Sequence, residues 1–169
     1  MKKFIVIALV LVSNSIFSQQ LVVDAFAEKW DNSKAYLVQM AEVMPEDKYD
    51  FKPSEREMSF REQVFHILTN MDWLSTTHFS KEKYNKNAFA EIKTKPQIIT
   101  QINASFDLAK SKIIANKNLD LSEKVDFFAG PKSKLQILNL MQDHVTHHRG
   151  QLIVYLNLCQ IQPPKYVGW

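Results

Sequence analysis

Apolar residues recur every three to four positions along most of this chain, the spacing that lines one face of a helix. Over 21–43 the stripe carries Phe26, Trp30, Leu37 and Met40, and Met44-Pro45 stops it. A polar connection with Pro53 follows. Ser59-Phe60-Arg61-Glu62 then reads as a capping box, the serine covering an orphan amide and the glutamate reaching back. Ser54 and Glu57 share that spacing, which leaves the start of the second helix open between two points. From Ser59 onward, Phe60, Val64, Ile67, Met71 and Leu74 fall on one face. The lysine-rich 81–93 reads as a loop. Thr94, with Pro96 in the first turn, opens a third helix whose core face is Ile98, Ile102, Phe106, Leu108 or Ala109, and Ile113. Val125-Asp126-Phe127-Phe128 is too short for a helix and predicts a strand-like connection or a plug over one bundle end. The fourth helix runs from Ser133 to about Gln160, with Ile137, Met141, Val145, Leu152, Tyr155 and Cys159 on its stripe; Gln162-Pro163-Pro164 ends it, before an aromatic tail. Four helices joined by short to moderate links predict an all-α, four-helix bundle. There is no internal repeat and no second domain.

The N-terminus departs from this pattern. Lys2-Lys3, an unbroken apolar run over 4–12 and small polar residues up to Ser18 have the layout of a secretory signal peptide. The expected division is a signal peptide over 1–18, cleaved after Ser18, and a bundle domain over 19–169. The apolar run is too short to span a bilayer, so no stable membrane anchor is expected, and the mature protein is expected outside the cytoplasm, periplasmic or extracellular. Losing Lys2 and Lys3 lowers the formal charge from +3 to +1. A near-neutral protein with dispersed lysines has no electrostatic footprint for nucleic acid. Cys159 is the single cysteine, so no intrachain disulfide forms, and its place on the apolar stripe makes it buried filler. Glycines occur only at 130, 150 and 168, too few for the Gly-rich phosphate loops of nucleotide-binding folds.

The candidate chemistry lies in His144-Val145-Thr146-His147-His148-Arg149-Gly150-Gln151, which holds three of the five histidines. On a helix His144 and His148 stand one turn apart and point the same way, so the two imidazoles can share a metal. His148 falls within the apolar stripe, His144 on its margin and His147 on the polar side. A catalytic zinc site needs a third protein ligand, and the remaining histidines are His66 and His78. His78 falls near the second helix's end, where solvation is expected. His66 shares a face with Gln63, Asn70 and Trp73, and periodicity alone does not aim that face at the fourth helix. Gln63, Asn70, Asp143 and Gln151 are placed to orient the imidazoles by helical proximity. Asp143 points away from the His144/His148 face and takes no catalytic role. Arg149 is expected in a structural ion pair. A glycine inside a helix costs about 1 kcal/mol against alanine, so Gly150 predicts close approach by another helix or a second subunit.

Phe60-Arg61-Glu62-Gln63-Val64-Phe65-His66-Ile67 together with the HxxxHRGQ run over 144–151 resembles the DinB/YfiT-like family. Tyr49-Asp50-Phe51-Lys52-Pro53, Tyr155-Leu156 and Pro163-Pro164 share the resemblance, which spans roughly 24–169. It implies a four-helix bundle of antiparallel type with a long crossover. It also implies a divalent transition metal, zinc or nickel foremost, held by His66, His144 and His148, with His147 a frequent extra histidine. Three histidines leave positions open for water or substrate, as catalytic sites do. The implied activities are a metal-dependent hydrolase or a thiol-dependent transferase acting on a small molecule, in a protein that forms a homodimer. Export counts against the transferase, since low-molecular-weight thiols belong mainly to the cytoplasm. The alternative is a noncatalytic module that binds metal or ligand.

Overall fold

The computed structural model describes residues 2–116 and 119–167, with side chains from residue 19 onward. Four helices carry the fold: α1 (Lys2–Val43), α2 (Phe60–Phe79), α3 (Lys95–Ile114) and α4 (Lys134–Leu158). A single 3-10 turn (Glu46–Lys48) follows α1, and two short strands, β1 (Lys124–Val125) and β2 (Lys132–Ser133), precede α4. α1 continues unbroken through the stretch expected to be a signal peptide; the side chains of 1–18 lie outside the described residues. Among the described residues no helix is long and apolar enough to cross a membrane.

Capping fixes the three later starts. Ser59 and Glu62, Thr94 and Gln97, and Ser133 and Gln136 each form a reciprocal capping box that satisfies two orphan amides. The second helix therefore begins at Ser59 rather than at Ser54. α4 stops at Leu158, slightly earlier than expected. Gln160 takes a left-handed φ of 61°, and the Ile161 amide donates back to the Leu156 carbonyl, closing the last turn before the prolines.

Cross-helix bonds set the directions. Gln142 reaches the Phe26 carbonyl and Arg149 reaches Ser33, so α1 and α4 run parallel. Lys34–Asp107 and Lys110–Asp31 pair α1 with α3 in opposite directions. Lys112 bonds Thr76 near the end of both helices and Arg61 bonds the Lys93 carbonyl near their start, so α2 and α3 are parallel. Around the bundle the order is α1, α3, α2, α4. Parallel neighbours consecutive in sequence need a connection that returns the whole length of a helix. That is the expected long crossover, residues 80–94, pinned midway where Phe89 stacks on Phe65 at 6.4 Å.

The stripes meet as the pattern required. Trp30, Leu37, Met40, Phe60, Ile67, Met71, Ile98 and Phe106 are almost completely enclosed. The indole of Trp30 donates to the Phe106 carbonyl at 3.0 Å and packs between Phe26 and Phe106, so its one polar atom is satisfied inside the core. Ala109 takes the core position and Leu108 faces out. The 125–128 patch belongs to a small hairpin: Lys124 pairs with Ser133 and Val125 with Lys132, and Gly130 turns the loop at φ +83°.

Gly150 and Arg149 depart from expectation. Among the described residues a Cβ built on Gly150 meets nothing within 4 Å, so none of their helices presses against it. Arg149 is buried, with its guanidinium 5.0 Å from the Tyr36 ring centre and a 3.4 Å bond to Ser33 Oγ. Among the described residues it meets an aromatic face and a hydroxyl rather than a carboxylate. α4 packs against α1 along this edge, which brings Tyr36 and Ser33 to the guanidinium.

Candidate metal centre

α2 buries two faces. Phe60, Val64, Ile67, Met71 and Leu74 enter the common core, while Gln63 and His66 turn toward α4. α4 lies antiparallel to α2, which sets His66 against His144 and Gln63 against His148 and, further along, Tyr155. The seam therefore brings together His66, His144 and His148, whose ligating nitrogens all lie within 4.8 Å of one another. His66 Nε2 and His144 Nε2 face each other at 3.1 Å. Two imidazoles bound at 2.0–2.1 Å to a tetrahedral zinc would hold their nitrogens about 3.3 Å apart, so this spacing suits a shared cation.

The support is most complete at His148, which is 8% exposed. Its Nδ1 lies 2.6 Å from Gln63 Oε1 and 2.9 Å from Gln151 Oε1. Two carbonyl oxygens at one nitrogen require that nitrogen to donate, so Nδ1 carries the proton and Nε2 keeps its lone pair. Gln63 is itself enclosed. Its amide nitrogen donates to Tyr155 Oη at 3.4 Å, and Tyr155 donates to the Met58 carbonyl at 2.6 Å. A chain of bonds thus anchors the ring to the backbone ahead of α2. The helical proximity of Gln63 and Gln151 was visible in the sequence; the part played by Tyr155 was hidden behind its place on an apolar stripe.

Burial is the main cause that lowers the pKa of all three imidazoles; repulsion from His147 adds to it at each, from His148 and His66 at His144, and from His66 at His148. His144, half-buried and facing the other two, falls to about 3. Near neutral pH these rings hold lone pairs rather than charges, the form a metal requires. His144 Nδ1 and Asn70 Oδ1 are both buried without a hydrogen-bond partner. His147 is exposed; its ring meets His148 edge-on at 4.8 Å and its Nε2 lies 3.4 Å from the Gln151 amide nitrogen. His78 stays apart from the cluster. It is half-buried against Trp73 and Phe127 rather than solvated, because the hairpin folds over the end of α2, and burial lowers its pKa too.

The sequence matches the DinB family over residues 17–166. The chain belongs to the DinB family. One relative, YjoA of Bacillus subtilis, a protein described as uncharacterized, is 27% identical over 120 residues, covering 70% of this DinB-family chain and 78% of YjoA. The crystal structure of YjoA superposes with a TM-score of 0.69 at 21% identity, over 84% of this chain and 96% of that one. A DinB-like protein from Bacillus cereus gives 0.71 at 16% identity, over 85% and 97%. YfiT of Bacillus subtilis, described as a probable metal-dependent hydrolase with an unusual four-helix bundle topology, gives 0.63 at 15% identity, over 83% and 89%. At these identities the likeness establishes the DinB-like bundle, and chemistry rests on the side chains.

Proposed function

We propose that this DinB-family protein binds one divalent transition metal, zinc or nickel foremost, through His66, His144 and His148, and acts as a metal-dependent hydrolase on a small molecule. The observation that carries this reading is the convergence of three neutral imidazoles from two helices, one of them locked in its ligating tautomer by Gln63 and Gln151. When bound, such an ion supplies Lewis acidity and brings the pKa of a coordinated water toward neutrality. The chain's own residues do the rest. Gln63 and Gln151 orient His148. YfiT, the relative described as a probable hydrolase, shares the bundle and so supports the choice of reaction class. Residues 1–18 act in this reading as a cleaved leader that delivers the domain outside the cytoplasm.

Elemental analysis of protein purified without an affinity tag tests the site. About one metal per chain is expected, lost in His66→Ala, His144→Ala and His148→Ala while helical circular dichroism persists. Absence of metal after reconstitution with zinc, nickel and manganese refutes the reading. A noncatalytic metal-binding module is favoured by one feature: among the described residues the ligand cluster contains no carboxylate to move a proton. Full metal occupancy without turnover of any ester, amide or phosphoester panel selects that alternative.

A further inference from the structure

Tyr155 lies on the apolar stripe of α4 and is 3% exposed, yet its hydroxyl is engaged on two sides. The Met58 carbonyl, just ahead of α2, lies 2.6 Å from Oη. A carbonyl oxygen only accepts, so the single phenolic proton is committed to it. The other side of Oη is left to accept, and Gln63 Nε2 donates there at 3.4 Å. That contact fixes the sense of the Gln63 side-chain amide, with its nitrogen toward Tyr155 and its oxygen toward His148 Nδ1 at 2.6 Å. Polarity passes from a backbone carbonyl through a phenol and an amide to an imidazole, and each step leaves one role for the next. The phenol is braced by Phe51, edge-on with 6.2 Å between ring centres, and the Phe51 carbonyl accepts from the Phe60 amide at 3.1 Å, at the first turn of α2.

A turned Gln63 amide would set its oxygen against an Oη whose proton is already taken. Two acceptors would then face each other in the interior, and Gln63 is 2% exposed, so solvent offers no compensation. The same turn would present an N–H to His148 Nδ1. His148 would keep its lone pair on Nδ1 and carry its proton on Nε2, the nitrogen that must be free to hold a cation. Gln151 does not prevent this alone. Its Oε1 also reaches His148 Nδ1, at 2.9 Å, but its nitrogen meets His147 Nε2 at 3.4 Å, on an exposed ring that accepts or donates according to its own tautomer.

We infer that Tyr155 is a positioning residue for the three-histidine centre: its hydroxyl sets the sense of the Gln63 amide and thereby which nitrogen of His148 is free to ligate. The inference rests on the metal-site reading for its use, but the tautomer of His148 is measurable in the metal-free protein. Nitrogen NMR of histidine-labelled protein at about pH 8, where imidazoles are neutral, reads it. The expected result is a proton on Nδ1 in wild type and a mixture of both tautomers in Tyr155→Phe, with zinc affinity in chelator competition lowered about tenfold. Adding Gln63→Glu, whose two oxygens present an acceptor in either sense, should restore the Nδ1–H tautomer and most of the affinity. A phenylalanine that merely loosened the packing would not be rescued by that change. A wild-type proton on Nε2, an unchanged tautomer in Tyr155→Phe, or a loss that Gln63→Glu does not restore overturns the role of Tyr155 and leaves the metal reading intact. A tautomer shift in Tyr155→Phe, with a wild type that binds no zinc, keeps that role and removes the metal reading.

Discussion

Acid should destabilise the metal-free protein through its histidine cluster, by an amount the structure allows to be worked out. In the unfolded chain a histidine titrates near 6.5, whereas His144 is held to about 3 by burial and by His148 and His66 beside it. Between those values the unfolded state binds a proton that the folded state refuses. Stability therefore rises with pH across this window and falls as pH drops below about 6.5. A ring that stays neutral when folded loses about 2 kcal/mol between pH 7 and pH 5, a figure set by the unfolded pKa alone so long as the folded value lies below 5. His66 and His148 are displaced in the same direction and add to the loss. Urea unfolding followed by circular dichroism, at both pH values and without metal, reads the effect. Carboxylates contribute in this range too, so the decisive quantity is the difference between wild type and His144→Gln. The variant should lose about 2 kcal/mol less on acidification. Equal losses would mean that His144 accepts protons freely in the folded protein, and the enclosed three-imidazole geometry would be wrong.

Other consequences are as direct. Gln63→Ala should weaken metal binding roughly 10- to 100-fold in chelator competition while Gln63→Glu keeps the acceptor and most of the affinity; an unchanged Gln63→Ala affinity would show that Gln151 alone orients His148. Gly150→Ala should raise stability by about 1 kcal/mol in urea melts, because the added methyl meets nothing; destabilisation with an altered sedimentation coefficient would instead place a second subunit on that face. Trp30→Phe should cost about 2–3 kcal/mol, combining a lost buried hydrogen bond with a cavity; a loss below 1 kcal/mol would contradict its place in the core.

Much of this was legible along the chain because local chemistry writes it there. Ser59 with Glu62 and Thr94 with Pro96 announce their helices; the stripe of α3 names its buried residues almost one for one, whereas that of α2 names only five of ten and misses Gln63, Leu68, Ser75, Thr76 and Phe79. The direction of His66 was not legible. A helix enclosed on two sides uses one face for the common core and another for its neighbour, and periodicity reports only the more apolar face. Which helix stands beside α2 depends on the long crossover, whose path no stripe encodes. Resemblance to the family, not spacing, singled out His66. The ion pair expected of Arg149 fails for a related reason: which residues α1 brings to the guanidinium depends on helix order, and they are Tyr36 and Ser33. At Gly150 the glycine suggested a close helix or a second subunit, and among the described residues no helix comes within reach of its Cβ position.

The order of the helices has a consequence for the life of the chain. His66 is separated from His144 by 78 positions, and Gln63 from its partner on His148 by 85. Packing of α1, α2 and α3 alone supplies a single histidine of the three. Only when α4 lies along α2 do His66, His144 and His148 meet. A chain in which α4 has not docked leaves His66 and Gln63 without their α4 partners. On the proposed metal reading, capture of an ion would follow the docking of α4 in register and so report that folding is complete.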